Sequence, residues 1–219
     1  MSEAIRPTYA GNRRIIDVDS HVIELDDFLW NAATQSERER LPKMADQKVL
    51  PVAQKGRDRA KELFARRQSD PETRAKFEAS LVQVHRNGWS RLGAFDPAER
   101  SHALDLFGFE MQWVLPTFAF HQVAHTKDPS LLALGARVLN RAMGGFCAED
   151  DRLFAIGYLP FSVGPEEAAS IMDEGLAMAA FSFMHQTTEE TILKKQLRYV
   201  MSDEARHVAF GELSLQEVY

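Results

Sequence analysis

Asp17, Asp19 and His21 occupy alternate positions of one short segment, and Glu24 follows shortly after. In an extended strand, side chains two apart point to the same side. Two carboxylates and an imidazole are therefore expected on one face. Asp19 and His21 are suitable donors for one divalent ion, which would bring the pKa of a bound water to roughly 7 and polarise a carbonyl or carboxylate. The same residues can equally cap a strand and a turn, and spacing alone leaves both readings open. His121 and His125 follow the next candidate strand; they could face the same mouth or be solvated loop side chains.

A second constellation lies near the end of the chain. Glu204 and His207 form Glu-x-x-His, neighbours on one helical face. The pattern is cheap: Glu99 and His102 repeat it, where it reads as an ordinary helix start. Around the later copy, however, Leu193, Leu197, Val200, Gly211 and Leu215 continue the same stripe, so Glu204 and His207 fall on an apolar face. A carboxylate there costs several kcal/mol unless it is paired or binds metal. Glu174 sits in a similar stripe with Ile171, Met178 and Phe181. With a turn near Thr187, Glu174 lies about 20 Å before it and Glu204 about 25 Å after, at about 1.5 Å per residue. The two acids then meet at nearly one level of a helical hairpin. One Glu facing a Glu-x-x-His is half of the ligand set of a carboxylate-bridged di-iron bundle. Alternatively, Glu174 flanks the hairpin and Glu204 pairs with Arg198 or Arg206.

The elements that must position these groups can be read along the chain. Residues 1–12 look like a leader. Arg14 to Val22 reads as a buried strand whose end turns polar. Residues 26–67 are expected to be mostly helical, with interruptions near Pro42 and Pro51. Asp70-Pro71 and Asp96-Pro97 are helix starts, a capping residue followed by proline at the first helical position. The second adds capping-box spacing through Glu99 and should run to Phe107, stopping at Gly108. Met111 to Leu115 is the next strand, Leu131 to Ala148 a helix, and Leu153 to Leu159 a third, wholly apolar strand. This alternation predicts parallel β/α units. After Gly164-Pro165 the pattern becomes helical only, and it stops at Tyr219 without a glycine cap, as a shortened sequence would.

Composition sets the outer limits. The 219 residues carry a formal net charge of -6, with 45% hydrophobic and 26% charged residues. Nothing in this balance favours nucleic acid or anionic lipid. The densest basic stretch, Lys55 to Arg67, is interleaved with Asp58 and Glu62 and reads as a solvated helix face. The single cysteine, Cys147, excludes an internal disulfide and fits a reducing compartment. No signal-peptide pattern and no apolar run of membrane-spanning length is present, so a cytoplasmic protein is expected.

The stretch IIDVDSHVIE (Ile15 to Glu24) resembles the first strand of the amidohydrolase-related family of metal-dependent β/α-barrel hydrolases and decarboxylases. Leu92 to Phe118 and Leu139 to Phe161 are similar to the same family, so the resemblance spans roughly residues 13–170. It implies that Asp19 and His21 are metal ligands for zinc or manganese, Asp19 standing where the family's first histidine stands. It also implies a small carboxylated or aromatic-acid substrate. Only about three of the eight barrel strands are present, and the family's later histidine and catalytic aspartate have no counterpart. Asp173 to Tyr219, with EGLA and DEARH, is similar to the second half of a ferritin-like di-iron family. That resemblance makes Glu174, Glu204 and His207 iron ligands, with the other half of the site missing.

The expected architecture is thus α/β: a partial (β/α) barrel over residues 13–170, followed by an all-α ferritin-like helix pair over 171–219. Three functions follow: an incomplete amidohydrolase-like enzyme; a di-iron oxidoreductase completed by a homodimer through the C-terminal helices; or an inactive fusion product.

Overall fold

The computed structural model describes residues 8–41, 51–82 and 90–173. The elements run β1 (Ile16–His21), α1 (Phe28–Ala32), α2 (Gln35–Arg40), α3 (Pro51–Ser69), α4 (Pro71–Ala79), α5 (Pro97–Phe107), β2 (Met111–Leu115), α6 (Phe118–Ala124), α7 (Pro129–Cys147) and β3 (Leu153–Ala155). A 3₁₀ turn, Phe161–Val163, leads into a helical stretch over residues 165–173. The strands form one parallel sheet in the order β1-β2-β3. The expected mixed α/β arrangement of parallel strands is therefore present.

Local chemistry explains most of the boundaries. Asp70, Asp96 and Asp128 each accept backbone N–H groups from the first turn of the helix that follows, and each precedes a proline. Proline loses nothing there because its missing N–H would have had no helical partner. The third Asp-Pro start sets α7 two residues earlier than the sequence expectation. Gly108 ends α5 at φ 69°, a left-handed conformation that glycine adopts without a Cβ penalty. At Thr34 a full capping box with Glu37 starts α2.

The third strand is shorter than expected. Asn140 on α7 accepts from the Tyr158 N–H at 2.7 Å and donates to the Tyr158 carbonyl at 3.0 Å. Those two backbone groups are thereby taken from the ladder, and regular pairing stops soon after Ala155, Ile156 N–H still reaching Val114 O.

The core lies between α7 and one face of the sheet. Leu132, Leu134, Val138, Leu139, Met143, Phe146 and Cys147 of α7 join Val114, Leu153, Leu104, Leu29 and Val123. On the opposite face Ile16, Val18 and Trp113 stay 51%, 59% and 44% exposed. Parallel sheets are normally covered on both faces; the described residues cover one face of this sheet. Residues 8–12, in the segment read as a leader, lie against the end of α5: Ala10 N–H donates to Phe107 O at 2.7 Å, Ala10 is buried, and Tyr9 packs edge-on to Phe107 and Phe109.

Candidate cation site at the strand ends

Asp19 and His21 come together at the carboxyl end of β1, where parallel β/α folds carry their ligand sites. Nε2 of His21 is 3.4 Å from Oδ1 of Asp19, and both side chains are open to solvent. The other ring nitrogen, Nδ1, lies 3.1 Å from the Thr117 hydroxyl oxygen. The single Thr117 hydroxyl proton is committed to the Val22 carbonyl at 2.7 Å. Thr117 can therefore only accept from His21, which puts the proton of a neutral imidazole on Nδ1. Nε2 then presents a lone pair to a carboxylate oxygen that is also an acceptor. Both acceptors are open to solvent, so the gap between them is one that water donors or a cation can fill.

The separation suits a shared ion. Two donors each about 2.1 Å from one tetrahedrally surrounded ion stand about 3.4 Å apart. A hydrogen bond from the far nitrogen of the ring to a fixed acceptor is the usual means of orienting a ligating histidine. Asp19 and His21 thus fit as two ligands. Among the described residues, no group of three or more His, Cys, Asp or Glu side chains is close enough to hold a metal ion. Any remaining positions would fall to water or substrate.

Asp17 does not join them. The β1–β2 register runs Asp17 to Gln112 and Ser20 to Val114, three steps on one strand against two on the other. This one-residue bulge changes which side chains share a face. Asp17 Oδ1 accepts the Asp19 N–H at 3.1 Å, and Oδ2 accepts from Gln112 Nε2 at 2.9 Å. Gln112 Oε1 in turn accepts from buried Arg100 at 3.0 Å. Arg100 also donates to Gly93 O, Ser20 Oγ and, at 2.8 Å, to the His21 carbonyl. Burial holds the Arg100 guanidinium down to about 10. Asp17 thus belongs to a buried network that braces β1 from behind, not to the exposed pair.

Glu24 has a different task. It is buried, and its two oxygens accept the Thr117 N–H at 2.6 Å and the Phe118 N–H at 2.7 Å. It thereby fixes the start of α6 and the residue that orients His21. Burial pushes its pKa up, against the opposing pull of these backbone donors. His121 on α6 and His125, which caps the end of that helix, have stacked, exposed rings 5.7 Å apart, and His125 Nδ1 lies 2.8 Å from the His121 carbonyl oxygen.

The early Glu-x-x-His copy is not a plain helix start. Asp96 caps α5 alone, while Glu99 turns inward and accepts from Arg67 at 2.6 Å through both oxygens. His102 Nε2 stands 2.9 Å from Glu78. Glu174, Glu204 and His207, the three ligands expected of the ferritin-like segment, lie outside the described residues. Arg100 and Thr117 carried no signal in the sequence, since nothing local marks a buried arginine or a hydroxyl that orients a histidine about a hundred residues away. No protein-family model, curated protein or solved structure matches the chain.

Proposed function

We propose that the β/α part of this chain is an amidohydrolase-like metal site. In this reading it binds a divalent cation, zinc or manganese, through Asp19 and His21, and acts on a small carboxylated or aromatic-acid substrate by hydrolysis or decarboxylation. The observation that carries the reading is the facing pair of acceptors, His21 Nε2 and Asp19 Oδ1, at 3.4 Å. When bound, the cation would supply a water of lowered pKa and polarise a substrate oxygen. The protein's own part is positional. Thr117 sets the tautomer of His21, Glu24 sets Thr117, and Arg100 holds the His21 carbonyl from the covered side of the sheet. The sequence resemblance of Ile15 to Glu24 supports the same assignment.

The test is metal content of the purified protein by mass spectrometry. The wild type should retain zinc or manganese, and His21→Ala should lose it. Thr117→Val should keep the ligands but weaken affinity about 10- to 100-fold, as expected when the partner of a ligating histidine is removed. Equal metal content in wild type and His21→Ala defeats the assignment.

A further inference from the structure

Of the four histidines in the described part of the chain, His21 faces Asp19 and Thr117, and His102 stands on Glu78. His121 and His125 face each other instead. Their rings are stacked, with planes 24° from parallel and centres 5.7 Å apart, and both residues are exposed. The helical spacing is kept to the end of α6. His125 N–H reaches the His121 carbonyl and His121 N–H reaches that of Thr117, each at 3.4 Å. Thr117, His121 and His125 therefore follow one another along one face of the helix.

The His125 ring is already oriented. Its Nδ1 lies 2.8 Å from the His121 carbonyl oxygen. A carbonyl can only accept, so the neutral ring carries its proton on Nδ1 and presents a lone pair at Nε2. Ligating histidines are commonly set this way, a backbone carbonyl holding one nitrogen while the other faces the ion. The His121 ring meets the Phe120 ring edge-on at 5.8 Å, and Phe120 meets Tyr158 edge-on at 5.1 Å. Two imidazoles bound at about 2.1 Å to one tetrahedrally surrounded ion have ring centres about 5.3 Å apart. A small rotation of the exposed His121 side chain closes the difference from the observed separation.

We propose that His121 and His125 together chelate one borderline divalent transition ion, zinc, copper or nickel, at a site of its own. Imidazole donors favour these ions over magnesium, calcium and manganese. The site is separate from the Asp19–His21 pair. His21 turns Nδ1 to Thr117 and Nε2 to Asp19, and His121 stands a full turn, about 5.4 Å, along the helix from Thr117. Among the described residues no third His, Cys, Asp or Glu joins the two rings. Without an anionic ligand to offset its charge, the ion is held by imidazole alone and exchanges with solution. Metal retained through purification therefore still reports on Asp19 and His21, and the imidazole pair is read by titration.

The experiment is a zinc titration of the full chain, first freed of metal with a chelator and desalted, followed by the imidazole nitrogen resonances of His121 and His125 in NMR spectra. It is run on the wild type and on His21→Ala, with magnesium as the control ion. Both rings should shift together along one saturation curve in both proteins, and magnesium should move neither. His121→Ala removes a ligand outright, so zinc binding at His125 should weaken by more than the about 10- to 100-fold that follows loss of an outer partner. A shift of one ring without the other, a shift that vanishes in folded His21→Ala, an equal response to magnesium, or unchanged zinc affinity at His125 in His121→Ala overturns the proposal. The paired shift is read first in wild-type protein, so the result stands even where a variant does not fold.

Discussion

At the scale of single residues, the chain shows how differently one side-chain type is treated at two depths. Arg67 and Glu99 form a bidentate pair with almost no exposure, and Gln68 Nε2 and Gly93 N–H donate to the same carboxylate. The Arg67 head also lies against the Phe64 and Phe77 rings. Removing the acid alone strands a buried cation. Glu99→Ala should cost about 3–5 kcal/mol in urea denaturation, whereas replacing both partners by apolar residues of similar volume should recover most of that loss. A small loss in the single variant would show that the pair is not closed off from water. None of this was legible in the Glu-x-x-His spelling of residues 99–102, because the partner lies 32 residues earlier. Cys147 carries a second prediction. Burial pushes its thiol up to about 12, so it should resist alkylation in the folded protein and react on unfolding. Rapid labelling under native conditions contradicts that. Asp150 carries a third. Donation from Arg152 and Ser101 holds its carboxyl down to about 2. A depressed carboxylate adds stability that is present above its unfolded pKa and is lost as pH falls toward the folded value. Wild-type stability should therefore decline between about pH 4 and 2, and Asp150→Asn should flatten that part of the profile.

At the scale of elements, what was legible is what local rules write. The Asp70-Pro71 and Asp96-Pro97 starts, the Gly108 stop and the five-residue β2 depend on neighbours within one turn or on side-chain alternation, and each is where the pattern placed it. The bulge in β1 and the short β3 depend on groups far along the chain, Gln112 and Asn140, and no local pattern carries them. The two positive-φ glycines around α5 make the distinction measurable. A Cβ at Gly93 would meet Arg100 backbone atoms at 2.5 and 2.7 Å, so the helix start itself would have to move. A Cβ at Gly108 would meet the Thr8 side chain, its Cβ at 2.7 Å, so the backbone at residue 8, outside any helix or strand, would have to shift. Both substitutions incur the left-handed penalty of roughly 1 kcal/mol. Gly93→Ala should cost clearly more than Gly108→Ala, because its collision is with the backbone of a helix. Chemical denaturation of the two variants in parallel decides it, and equal losses would show that the loop before α5 adjusts freely.

At the scale of the whole molecule, two metal chemistries were read from one sequence, and they fall on different stretches of it. Asp19 and His21 stand together in the described β/α part, while the expected iron ligands Glu174, Glu204 and His207 lie beyond it. The parallel order of the sheet was readable because strand and helix signals alternate; the facing acceptor pair was readable only as a spacing, since its geometry depends on Thr117 across the sheet. The two proposals predict separable losses. If a cation sits on the strand ends, His21→Ala removes zinc or manganese and leaves iron and solution mass unchanged. If the ferritin-like segment assembles a di-iron site between two copies, His207→Ala removes iron without touching zinc or manganese, and a wild-type chain loaded with iron must be a dimer, because one copy supplies half the ligands. Metal content measured together with solution mass for the wild type and these two variants thus assigns each ion to its own residues. A monomer holding iron would rule out the shared site, and a metal-free chain of either mass would leave the third reading, a fusion without chemistry, as the one that accounts for the molecule.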